Sequence, residues 1–164
     1  MYAQAALGQI RYIGVTGKNE KGFRGRIANR HVTGSEGYSH KFSHAHNSGR
    51  MWRSRKSHPL QNASDAKAAK DLRTAFIHKY CRATYFVIEN PGLVPSVYFT
   101  SLTHLEAMVQ ALAAPQWRSW KGRKFPPTGE PRDLVDKLLD ELDWPLPDRR
   151  AVGRQAALSN TGLF

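Results

Sequence analysis

Along the chain, apolar positions first alternate, then recur at helical spacing, and the change of period divides the sequence into elements. The run IRYIGVT, closed by Gly17, is rich in β-branched and aromatic residues and predicts a strand. Residues 18–31 follow, with a second strand (GFRGRIA) or a short helix interrupted by Gly22 and Gly25 as alternatives that periodicity does not separate. Residues 32–60 show no sustained period and are dense in Gly, Ser, His and Arg, so they read as a long basic loop inserted into the domain. From Asn62 or Ser64 as N-cap, ASDAKAAKDLRTAFIHKY predicts a helix with Leu72, Phe76 and Tyr80 on one face.

ATYFVIEN, ended by Pro91 and Gly92, has the strongest strand composition in the chain. SLTHLEAMVQAL predicts a helix capped by Ser101 or Thr103, its stripe of Leu105, Met108, Val109 and Leu112 expected to face inward. PRDLVDKLLDEL predicts an acidic amphipathic helix with Leu134, Val135, Leu138, Leu139 and Leu142 on one side. The remainder of the acidic segment 128–164 reads as a short tail ending on a Gly-containing turn. There are no internal repeats, and a length of 164 residues suits one domain, 1–164.

Composition adds a solubility class. Hydrophobic residues make up 40% of the chain, yet no apolar run approaches the ~20 residues that a membrane helix needs. Nothing at the N-terminus has the order of a secretion signal, and Cys81 is the single cysteine, so a cytoplasmic setting without disulfides or a cysteine-rich zinc module is expected.

Charge narrows the partner. The formal net charge is +12, and ten Lys/Arg fall between Lys18 and Lys56 against only Glu20 and Glu36. A second basic knot, Arg118, Lys121, Arg123 and Lys124, is interleaved with Trp117 and Trp120, which suits phosphate contact combined with stacking. Residues 130–148 carry seven acids against Arg132 and Lys137. Polyanion binding by the first two-thirds follows, with Arg24, Arg30, Arg50, Arg53, Arg55 and Lys56 on phosphates or base edges.

The inventory of acids also limits any hydrolytic chemistry. Outside the acidic segment there are only Glu20, Glu36, Asp65, Asp71, Glu89 and Glu106, too scattered for a two-metal centre. They can support one Mg²⁺ or Mn²⁺ per site, held by one carboxylate and the phosphate oxygens of a substrate. Glu106 suits this role because it borders the Leu105/Met108/Leu112 stripe, where a carboxylate can be rigid yet face a cleft, with Glu89 in reserve. Arg26 would grip a phosphate by a bidentate contact that Lys cannot reproduce. Tyr12 and Tyr2 would position or deprotonate a water, which requires a cation such as Lys18 to lower the phenol pKa. His31 and His40 could assist proton transfer, and His40, His44 and His46 form a loosely spaced histidine group.

This order of motifs resembles the GIY-YIG nuclease superfamily. Tyr2 stands ten residues before Tyr12, Tyr12-Ile13-Gly14 is intact, and Arg26-Ile27 matches the arginine position, with Arg24 and Arg30 as alternatives. AFIHKYCRATYFVIEN is similar to the helix–turn–strand segment, LTHLEAMVQAL to the glutamate helix, and LSNTGL, with Asn160, to the terminal asparagine turn. The resemblance implies an α/β (α+β) fold, a small and mainly antiparallel three-stranded sheet flanked by helices, with Gly14 and Asn160 in structural roles. It implies a metal-dependent endonuclease cutting double-stranded DNA, of restriction type because one domain leaves no room for a separate targeting module, and a homodimer if the target is palindromic. The rival expectations are a non-catalytic AP2-like module, reading DNA with a sheet whose third strand lies near MWRSR, and a charge-driven binder of RNA or nucleoprotein.

Overall fold

In a computed structural model of the chain, residues 13–16, 22–32, 42, 46–112 and 129–160 are described. Among them the architecture is helical, and no strand occurs. Helix α1 (Gly22–Arg26) runs directly into a π-helical segment, Ile27–Val32. A 3₁₀ turn spans Gly49–Met51, and four longer helices follow: α2 (Ala63–Tyr80), α3 (Pro95–Leu112), α4 (Arg132–Glu141) and α5 (Leu146–Ser159).

The expected three-stranded sheet is therefore overturned. Ile13–Thr16, the described end of the first predicted strand, is irregular, the Arg-rich stretch after Gly22 is helical, and residues 81–91 form no ladder. The physical reason is plain in the last case. A sequence such as ATYFVIEN forms a strand only where a neighbour accepts its backbone bonds and covers a face. Here Tyr85 to Ile88 are all exposed, Phe86 by 80%. The third strand that an AP2-like sheet needs near MWRSR does not form either: the stretch begins in the 3₁₀ turn and continues as irregular chain.

Helix α2 begins where the sequence places it. The Asn62 side chain accepts from the backbone N–H groups of Ser64 (2.9 Å) and Asp65 (3.2 Å), satisfying two of the donors that a helix start leaves open. Its inner face buries Ala68, Ala69, Leu72 and Phe76, and Tyr80 Oη donates to Leu134 O at 3.2 Å, tying its last turn to α4. Helix α4 buries Val135, Leu138 and Leu139 as the amphipathic pattern requires, but Leu142 is exposed because the helix has already stopped at Glu141. Asp143 adopts φ 44°, and Trp144 N donates back to Leu139 O at 2.9 Å, which closes the end.

Two corrections complete the core. Helix α5 replaces the expected tail: Pro145 and Pro147 set its entry, and Ala151, Val152 and Gln155 are buried. The basic loop also reaches the interior at its end, where Met51 and Trp52 are buried and Met51 joins Leu72, Leu138 and Val152 in one apolar cluster. All buried members of that cluster come from residues 51–76 and 135–152. Helix α3 starts at Pro95, six residues earlier than the Ser101 cap, after a turn in which Asn90 brackets Leu93 by two 2.8 Å bonds. Its only buried side chain is Leu102, so the predicted inward stripe faces out.

Candidate nucleic-acid interface

Several basic side chains near the bundle are matched by carboxylates, and others stand at exposed turns or are buried against an amide. Arg50 belongs to the first. Its Nε donates to Glu130 Oε1 at 2.5 Å, its backbone N–H to Glu130 Oε2 at 2.9 Å, and its Nη1 to Asp136 at 2.5 Å. Burial works against the guanidinium charge, but its bonds to the Asp136 and Glu130 carboxylates outweigh it and raise the pKa. This contact needs Gly49, whose φ is +52° and whose missing Cβ is replaced by the Glu130 side chain: a Cβ there would stand 2.7 Å from Glu130 Cβ.

Similar pairs join the helices. Asp65, buried in the first turn of α2, accepts from Arg154 Nε and Nη2 of α5, both at 2.7 Å, and raises the arginine pKa. Arg149 caps α4, donating to Trp144 O and Leu139 O and pairing with Asp140 at 2.8 Å. Lys79 bonds Glu141 at 2.9 Å and holds its carboxyl below the ordinary range. Glu130, Asp136, Asp140 and Glu141 thus serve as internal counter-ions to named partners. Sequence reasoning missed this use, although the complementary blocks at 41–56 and 130–148 were its visible sign.

The predicted DNA contacts separate accordingly. Arg55 and Lys56 lie on an exposed turn, whereas Arg53 is half-buried, its backbone N–H donating to Asn47 Oδ1 at 2.8 Å. The same Asn47 oxygen accepts from Arg73 Nη1 at 2.6 Å, and Arg73 is wholly buried. Arg24 and Arg26 fall in α1, and Arg30 and His31 in the π-helical segment. Tyr2, Tyr12, Lys18, His40, Trp117, Arg118, Trp120, Lys121, Arg123 and Lys124 lie outside the described residues. Gly14 is exposed, and Asn160 ends α5, its N–H reaching Ala157 O and Leu158 O.

Glu106 stands half-buried on α3, where its Oε1 accepts from Gln110 Nε2 at 2.9 Å. The same amide donates to Ile13 O at 3.2 Å, so the carboxylate shares a partner with the backbone of the Tyr-Ile-Gly stretch. Glu89 is exposed in the irregular segment between α2 and α3. Among the described residues no three His, Cys, Asp or Glu side chains stand together as a metal cluster. His46 packs edge-on to Phe42 and against Phe76, and its companions His40 and His44 lie outside the described residues. A divalent ion at Glu106 would draw on one carboxylate, and Mg²⁺ would then complete its octahedron with water and substrate oxygens.

No protein-family model, curated protein or solved structure matches the chain. No helix among the described residues is long and apolar enough to cross a membrane.

Proposed function

We propose that this chain is a nucleic-acid-binding protein whose target is double-stranded DNA. The observation that carries the reading is the surplus of base over acid that internal pairing leaves in place. Ion pairing of the acidic segment with Arg50, Lys79 and Arg149 leaves the net charge unchanged, so the +12 remains for an external polyanion. Arg55 and Lys56, on an exposed turn next to buried Met51 and Trp52, supply basic groups on a rigid base.

A second reading, metal-dependent phosphodiester hydrolysis, is favoured by one specific contact. Gln110 donates both to Glu106 and to the backbone carbonyl of Ile13, which ties the candidate cation ligand to the described end of the first predicted strand. In that reading Glu106 holds Mg²⁺, and an arginine among Arg24, Arg26 and Arg30 meets the phosphate.

One experiment separates the two. Mixed-sequence duplex DNA is incubated with the wild type, Glu106→Gln and Arg26→Ala, with Mg²⁺ or with EDTA. Binding without cutting under any condition supports the first reading alone. Cutting by the wild type with Mg²⁺, lost by orders of magnitude in Glu106→Gln while binding persists, supports the second. Failure of the wild type to retain duplex DNA at low salt defeats both.

A further inference from the structure

Helices α4 and α5 are joined by four residues, Leu142 to Pro145, with Asp143 in the left-handed region at φ 44°. The joint does not fold them side by side. Tyr80 and Lys79, the last two residues of α2, bond Leu134 and Glu141, near opposite ends of α4, so α4 lies across that end of α2. Arg154 of α5 instead pairs with Asp65 in the first turn of α2, so α5 runs back along α2. Two crossed helices with a short turn between them have the form of a helix-turn-helix, in which the second helix is the one placed to enter a groove.

We propose that α5 is the helix that enters the major groove of duplex DNA, a placement that rests on the duplex-binding reading above and names the element that carries it. Ala151, Val152 and Gln155 are buried, and Leu146, Arg150, Gly153, Arg154 and Ala157 recur at helical spacing on the opposite side, all exposed. The single acid of α5, Asp148, is half-buried and off that side. Arg150 is in no ion pair among the described residues, which leaves its guanidinium for the bidentate contact that arginine makes with a guanine edge. Asp65 holds Arg154 through Nε and Nη2, which fixes the guanidinium plane and leaves Nη1 for an outside acceptor. Gly153 interrupts the helix with a residue that weakens it, yet a Cβ there would meet nothing within 4 Å, so internal packing does not call for glycine; close approach of another surface does. Ser54 N donates to Gln155 Oε1, which sets the turn with Arg55 and Lys56 beside the second half of α5, in place to meet the flanking phosphates. The outer side of α5 carries no aromatic ring, so it offers unpaired bases nothing to stack on, and its charge and low relief fit a duplex groove.

The probe is the set of duplexes of about 30 base pairs that the wild type retains from a random-sequence pool, used plain and with every cytosine replaced by glucosylated 5-hydroxymethylcytosine, which fills the major groove and leaves the minor groove and phosphates open. The wild type should bind the glucosylated set about tenfold or more weakly than the plain one. Arg82→Ala, which removes a charge from the exposed segment after α2, should match the wild type on both sets within about threefold. Arg150→Ala should lose about tenfold on the plain set. Gly153→Gln adds bulk but no charge at a position with room for it, so it should keep the helical circular dichroism, lose a similar factor on the plain set and no longer distinguish the two sets. Equal binding of both sets by the wild type, or binding by Arg150→Ala or Gly153→Gln as tight as that of Arg82→Ala, overturns the placement of α5 while duplex binding stands. A wild type that retains no duplex at low salt defeats the duplex-binding reading, and the placement of α5 with it.

Discussion

At the scale of single residues, two positions do more than their type suggests. Gly49 combines a left-handed backbone with a close approach of Glu130, so Gly49→Ala both strains the turn and pushes out the carboxylate that holds Arg50. Chemical denaturation should show a loss of about 2–4 kcal/mol, well beyond the usual glycine-to-alanine effect. Glu141 carries a pH signature. Its carboxyl is held below its ordinary value of 4.5, first by the hydrogen bond from Lys79, so its stabilisation is complete above that value and disappears as pH falls through the lowered one. Lys79, raised above 10.5 by the same bond, loses its share only as pH climbs past that range. Glu141→Gln should therefore lower the urea midpoint at pH 7 and converge with the wild type at acidic pH, once the pH has fallen through the lowered value.

Among the elements, α4 tests where the pattern of apolar residues stops being a guide to burial. Leu138 is 1% exposed and Leu142 is 51% exposed, although both lie on the apolar side of the same predicted helix. Leu138→Ala should cost about 2–5 kcal/mol, and Leu142→Ala under about 1 kcal/mol, by equilibrium unfolding. The start of α2 was legible because the Asn62 cap is a local device, written within four residues of chain. The absence of a strand at 81–91 was not, because strand formation depends on a partner that no local sequence can specify. Helix α5 was hidden by its modest amphipathicity. Ala151, Val152 and Gln155 pack closely because they are small or find a polar partner, Gln155 Oε1 accepting from Ser54 N at 3.2 Å. Glu106 was legible as a border residue of α3, but its border runs opposite to the one expected, with the apolar stripe outside.

For the whole molecule, the distribution of charge governs behaviour more than the fold does. If binding rests on phosphate neutralisation, the logarithm of affinity for duplex DNA should fall linearly with the logarithm of salt, and Arg55→Ala with Lys56→Ala should flatten that slope by about two. Removing Arg50 should instead act on stability, because its guanidinium serves Glu130 and Asp136. The acidic segment supplies fasteners to the basic body at Arg50 and Lys79, and leaves the rest of the base in surplus.

Those fasteners join stretches that are far apart in the chain, as with Arg50 and Glu130, eighty positions from one another. Every buried member of the apolar cluster comes from residues 51–76 or 135–152, which makes the bundle a lock whose two parts are made separately. A protease nick in the exposed segment 82–94 would leave both parts clasped, and the two pieces, expressed apart, would find each other and refold as one body.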